Sequence, residues 1–204
     1  MTAPVTFTLI FANAAITLWT WYSRHDYFDS LAERPYQIVH ERKFYQAITS
    51  AFLHADWMHL LFNMFTLFSF GTVLEQLFTA NFGQTEGSVY VILIYFISLL
   101  SGSILTIAMN HRNPSYVAVG ASGAVSGIVF SYILFFPTST VGVFFIPMPA
   151  FLFAFLYVGV SIYGMKSKFG NIGHEAHLGG ALGGVISTFL LIKGSFEYFL
   201  SHFS

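Results

Sequence analysis

Charge is missing from long stretches of this chain, and that feature constrains its fold more than any other. Residues 1 to 23 hold no Asp, Glu, Lys or Arg, and further charge-free runs extend from Trp57 to Leu74, Gly87 to His111, Asn113 to Met165 and Ala176 to Ile192. An ionised side chain at the centre of a bilayer costs roughly 2.5 to 3.5 kcal/mol on insertion scales, and a spanning helix needs about 20 mostly apolar residues. The gaps between charges therefore count membrane passes. The run from Asn113 to Met165 is too long for one helix; Pro137 breaks it, and Pro147 and Pro149 mark the next start. Six spans are expected, near 6–22, 57–77, 88–109, 117–135, 148–164 and 174–192.

Only 8% of the 204 residues are charged, against roughly 25% in a soluble domain, which argues against a soluble enzyme and against disorder alike. With 8 Lys and Arg against 9 Asp and Glu, the chain lacks the basic surplus a nucleic-acid binder uses on phosphates. The absence of cysteine removes disulfides, thiolate nucleophiles and cysteine-ligated metals. Open sheet edges do not occur in lipid, and these runs lack the alternation of a barrel strand. The expected fold is all-α: one polytopic membrane domain over 1–204, a bundle of six transmembrane helices. Eight charged side chains between Arg24 and Lys43 make 23–53 an interfacial first loop. Span one has neither a basic leader nor a clear cleavage site, so it is expected to be retained.

Polar residues inside such spans need a reason, because burying them unpartnered costs several kcal/mol. Three clusters stand out: His54 to Asn63 at the start of span two, Gly120 to Gly127 opening span four, and Gly173 to Gly184 opening span six. His59 and Asn63 lie four apart, so a helix turns both to one face, where they can aim donors at an oxyanion or simply bond neighbouring helices. Ser122 lies between glycines at a helix mouth, whose free N–H groups favour developing negative charge. It fits a nucleophile, or a small-residue packing seam shared with Gly123, Ser126 and Gly127. Ala124 departs from the soluble-hydrolase G-x-S-x-G pattern. Beyond His177, two overlapping GxxxG spacings (Gly179 with Gly183, Gly180 with Gly184) predict close packing, with span four as the expected partner. At matching depth His177 would reach Ser122 as a general base. The histidines His54, His59, His174 and His177 raise a metal site, but His174 and His177 are three apart, so no H-E-x-x-H zinc signature is present. Glu75, a carboxyl within a span, is expected to tie that helix to its neighbours; a transporter's proton relay is the weaker alternative, since no internal repeat is present.

Together, His59 and Asn63 on span two, Gly120-Ala121-Ser122-Gly123 on span four and Ala176-His177-Leu178-Gly179-Gly180 on span six resemble the rhomboid family of intramembrane serine proteases, from about Tyr45 to Ile192. The resemblance implies a Ser122–His177 dyad working through an acyl-enzyme. It also implies an oxyanion held by the Ser122 N–H, His59 and Asn63, and no cofactor or metal. His54, Gly120, Ala121, Gly123 and Ser126 would form the neighbourhood, 165–172 the cap with Phe169 as plug, and span five the gate. Substrates would be transmembrane helices of other proteins, met within the lipid of a cell membrane, plasma or inner. An inactive binder of membrane proteins and a multi-histidine metal hydrolase remain as rivals. The sequence departs from the family pattern twice. Ser126 stands one turn after the nucleophile, where rhomboids often carry an aromatic on which the histidine stacks, so Ser126→Phe is expected to be tolerated or activating. Phe44-Tyr45-Gln46 replaces a Trp-Arg pair, whose hydrogen bonds are then replaced or lost. The family orientation puts 24–53, 110–115 and 165–172 outside, yet these hold seven of the eight Lys and Arg, which the positive-inside rule would put in the cytoplasm.

Overall fold

The computed structural model describes residues 3–23, 25–143, 146–167 and 173–203. Helix α1 (Pro4–Tyr22) is followed by a first loop built of short helices: α2 (His25–Leu31), α3 (Pro35–His40), α4 (Gln46–Thr49) and a 3₁₀ turn over Ser50–Phe52. The second long helix is continuous from Trp57 to Phe82 but in three pieces: α5 (Trp57–Thr66), a π-helical turn over Leu67–Gly71, and α6 (Thr72–Phe82). Then come α7 (Gln84–Asn110), α8 (Ser122–Phe135), a hairpin of β1 (Thr140–Val143) and β2 (Ile146–Pro149), α9 (Ala150–Ser167), α10 (His174–Leu191) and α11 (Ser195–Leu200).

Among the described residues four helices are long and apolar enough to cross a bilayer: Pro4–Tyr22, Trp57–Phe82, Gln84–Asn110 and Ala150–Ser167. The protein is thus an α-helical, multi-span membrane protein. Large apolar side chains such as Phe11, Phe65, Ile104, Phe155 and Leu190 point outward, as suits a body surrounded by lipid rather than water.

Two expected boundaries shift. Span four does not begin at 117, because Glu33 and Ala118 exchange two backbone hydrogen bonds of 2.9 Å and hold this approach extended. Helix α8 is therefore only 14 residues long, about 21 Å at 1.5 Å per residue, and from Gly123 to Phe135 every side chain but Tyr132 is buried. Span five does not begin at 148, because Pro147 and Pro149 lie in β2, which pairs antiparallel with β1. A proline is tolerated in such an edge strand, which can forgo its N–H.

The centre of the bundle is α10 wedged between α7 and α8. The first GxxxG face rests on α7: a Cβ on Gly179 would lie 2.6 Å from the Ser101 carbonyl oxygen, and one on Gly183 the same distance from Ser101 Oγ. The second rests on α8, where a Cβ on Gly180 would overlap the backbone of Gly123 and one on Gly184 that of Gly127. Span four is thus the expected partner of one face only, and α7 takes the other.

Two polar anchors complete the frame. Glu75 is fully buried and accepts from the amides of Val5 (3.0 Å) and Thr6 (2.8 Å), from Thr6 Oγ1 (2.8 Å) and from Ser88 Oγ (3.0 Å). It caps the otherwise uncapped start of α1 and ties it to α6 and α7, as expected of a carboxyl in a span. In the first loop Gln46 is fully buried, donating to Ser30 O (3.2 Å) and Gln37 Oε1 (3.0 Å) and accepting from the Arg34 amide (3.3 Å).

Candidate active site

Ser122 is the first residue of α8 and is half-buried. The chain reaches it through Gly120, which holds φ at 123° and donates its N–H to Ser50 O at 2.9 Å. With the Glu33–Ala118 bridge this fixes the entry to α8 from the first loop. The opening amides of a helix have no partner within it, so the Ser122 N–H is a donor that faces out of the start of α8.

His177 lies in the first turn of α10, its N–H bonded to Gly173 O at 3.1 Å. The helices that carry Ser122 and His177 meet at the glycine crossing: Gly123 follows Ser122, Gly180 lies three residues after His177, and a Cβ on Gly123 would approach Ala176 O at 3.2 Å. Side chains larger than hydrogen at Gly123 and Gly180 would push the helices apart and the two residues with them.

The third element is α5. Asp56 caps it by accepting from the His59 amide at 2.8 Å, which sets the helix start so that His59 and Asn63 share a face. The His59 ring lies against Gly120, whose Cβ, if present, would be 2.6 Å from both Nε2 and Cε1. The Ala55 N–H donates to His59 Nδ1 at 3.5 Å, so the neutral ring carries its proton on Nε2, the nitrogen facing the loop into Ser122. Buried Asn63 donates one amide hydrogen to His59 O at 2.9 Å; its second N–H is the one left for a ligand.

His54 stands edge-on to His59 at 5.0 Å between ring centroids. Thr17 Oγ1 donates to Phe52 O (3.0 Å), so it must accept from His54 Nδ1 (2.9 Å), and the His54 Nε2 lone pair is buried without a partner among the described residues. Burial, helped by His59, holds this imidazole well below its ordinary range.

Ser126 is buried, and its Oγ donates to Ser122 O at 2.6 Å. That Oγ also meets the hydroxyl of Tyr157 on α9, and the Tyr157 ring stacks on His177 at 5.8 Å with an interplanar angle of 28°. The space expected beside Ser126 is therefore already filled, and Ser126→Phe alone would overpack it. Sequence reasoning missed Tyr157 because it looked along α8; the small residue at 126 was the signal that the ring must come from elsewhere. Ala121 is fully buried behind the serine. Phe169, the expected plug, lies outside the described residues. Among those described, no group of three or more His, Asp or Glu is placed to hold a metal ion.

Comparison with known proteins places the chain among relatives. The Rhomboid domain model matches residues 41–194, a stretch that contains His54, His59, Asn63, Ser122 and His177. The chain is 33% identical over 168 residues to RHOMBOID-like protein 12, mitochondrial, of Arabidopsis thaliana, covering 74% of this chain and 47% of that protein. It is 30% identical over 155 residues to Rhomboid protein 1, mitochondrial, of Saccharomyces cerevisiae, covering 72% and 41%. It is also 31% identical over 153 residues to Putative rhomboid protease YdcA of Bacillus subtilis, covering 74% and 69%. The chain spans about half the length of the first two. A family match over most of the chain, with a serine helix and a histidine helix crossing on glycines beside the α5 face, leads to one conclusion: the chain belongs to the rhomboid family.

Proposed function

We propose that the protein is an intramembrane serine endopeptidase that cuts transmembrane segments of other membrane proteins, with Ser122 as nucleophile and His177 as base. The observation that carries this reading is the crossing of α8 and α10 at Gly123 and Gly180, with the His59 ring against Gly120, which gathers all three polar motifs at one end of the bundle. Six helices, α8 and α10 included, form the membrane body of this enzyme.

Ser122 Oγ attacks the scissile carbonyl carbon as its proton passes to His177; the C–N bond breaks, and His177 returns the proton to the leaving amine. Water, deprotonated by His177, then attacks the ester, and Ser122 leaves with a proton. At both stages the oxyanion accepts from the Ser122 N–H, His59 Nε2–H and the free Asn63 amide hydrogen. His54, with its unpartnered Nε2, holds water for the second step. α9 is the side through which a substrate helix enters from the lipid of a plasma or inner membrane.

The test is cleavage of a labelled single-span substrate by purified protein in detergent, with wild type and Ser122→Ala each assayed with and without a metal chelator. Cleavage that survives chelation and vanishes in Ser122→Ala is expected. Cleavage that persists in Ser122→Ala but stops with chelator would replace the dyad with metal chemistry, and silence of the wild type would favour a binder without catalysis.

A further inference from the structure

We infer that Tyr157 is the positioning residue for His177 and that, because α9 carries it, the base is correctly aimed only while α9 is seated against the bundle. The inference rests on the dyad proposed above and adds a residue and a regulation to it.

Proton counting fixes the direction of the contact. Ser126 Oγ has one hydrogen and gives it to Ser122 O at 2.6 Å, so in the Ser126–Tyr157 contact the phenol donates. Tyr157 is thus held at two points, by Ser126 at its hydroxyl and by His177 at its ring face, 5.8 Å between centroids. The ring is further enclosed by Phe130 (5.4 Å) and Phe153 (5.5 Å). Among the described contacts of His177, the others are its backbone bond to Gly173 and the edge of His174 at 6.3 Å. The imidazole therefore has one flat support, and it comes from a different helix than the serine.

That helix is the most loosely embedded of the long ones. Over its 18 residues only Ala150, Ser161 and Gly164 are buried, whereas Phe155, Val160 and Tyr163 face outward. Its N-terminal end is pinned by the amides of Ala150 and Phe151, which donate to Ser139 O and Pro137 O, each at 2.9 Å. Farther along, Gly164 rests on the ring of His174. Between these two ends the hydroxyl and ring of Tyr157 are the polar tie to α8 and α10. An outward swing of α9 that admits a substrate helix withdraws the ring from His177, and its return restores the support. Opening and catalysis are then exclusive states, and an open enzyme does not attack whatever drifts past it.

Three variants of the full chain in detergent test this. Tyr157→Ser removes ring and tie, Tyr157→Phe keeps the ring, and the exchange Tyr157→Ser with Ser126→Tyr supplies a ring from α8. Two readouts are followed: kcat and KM on the single-span substrate, and the Hε1 proton shift of His177 in histidine-labelled protein, which senses a stacked ring whether or not the protein cleaves. Tyr157→Ser is expected to move the Hε1 resonance and to lower kcat by about 10²-fold, the scale of a misplaced catalytic group, with KM little changed. Tyr157→Phe keeps the resonance, and the exchange recovers both resonance and kcat. Ala150→Leu, an overpacking wedge under the start of α9, lowers kcat in the wild-type background and leaves the exchange variant unaffected.

An unmoved resonance or an unchanged kcat in Tyr157→Ser overturns the inference, as does an effect confined to KM. Should Tyr157→Ser not fold, the exchange variant decides: without recovery of resonance and kcat the inference fails. A wild type that cleaves nothing, yet whose His177 resonance follows the ring through the variants, sinks the protease reading and keeps Tyr157 as the support of His177.

Discussion

Single side chains do unequal work in this site, and two can be separated by experiment. Asn63 gives one amide hydrogen to the His59 carbonyl, so the oxyanion role proposed for its second N–H can be removed without unseating its helix. Asn63→Ala is expected to lower kcat by roughly 10² to 10³-fold, as for the loss of one such donor, with KM nearly constant in steady-state cleavage. Glu33 acts at a distance. It is 6% exposed, accepts from Ser103 Oγ at 2.6 Å and shares a small cavity behind the serine loop with Ser50, Gly120 and Ala176. Burial raises its carboxyl from 4.5 to about 7, while the Ser103 hydrogen bond pulls the other way. The folded chain thus holds a proton that the unfolded chain has released, so this contribution to stability is full below pH 4.5 and is lost as pH rises through about 7. The thermal midpoint in micelles should fall between about pH 5 and about pH 8, and Glu33→Gln should flatten that dependence.

Elements in this bundle are held by close backbone contact and by a few buried polar ties. The α8–α10 crossing has no room for a side chain at Gly180, where a Cβ would overlap Gly123. Gly180→Val is expected to abolish cleavage and lower the thermal midpoint, whereas Leu182→Ala, on the exposed side of the same helix, should leave activity unchanged. Glu75 supplies to α1 the cap that Ala3 lacks. Leaving a buried donor unpaired costs about 1 to 3 kcal/mol, so Glu75→Leu, which strands the Val5 and Thr6 amides, should destabilise more than Glu75→Gln in the same melt. The runs that became these helices were legible in the sequence because lipid forbids charge. Their ends were not legible wherever a distant partner set them. Residues 117–121 are as apolar as a helix, but the bridge from Glu33 to Ala118 and the bond from Gly120 to Ser50 hold this approach outside the helix that starts at Ser122. Likewise the GxxxG pair announced close packing but could not say that its two faces meet two different helices.

Across the whole molecule, the candidate site was readable as three motifs because each breaks the apolar rule at one place, and its assembly follows from two contacts: glycine on glycine, and imidazole on glycine. Tyr157 escaped because an aromatic in an apolar span is unremarkable until its neighbours are known. Orientation is a property of the same scale. The first loop, with its buried Gln46 and Glu33, is a packed element rather than a free basic loop, so its charges are weaker topological signals than their number suggests. A reporter fused after Ser204 should read the cytoplasmic side if the family orientation holds, and activity across the membrane would reverse it. The wide π turn over Leu67–Gly71 has a different kind of consequence. Each residue advances a helix by about 100°, so the turn acts as a phase shifter between the half bearing His59 and Asn63 and the half bearing Glu75. Regular α winding imposed on the same number of residues would rotate Glu75 away from Thr6 while His59 stayed in place. Deleting a single residue there would instead let the helix close with both halves still in step, because a π turn holds about one residue more than an α turn over nearly the same rotation. The winding of this segment, more than the identity of any residue in it, keeps the two halves in phase.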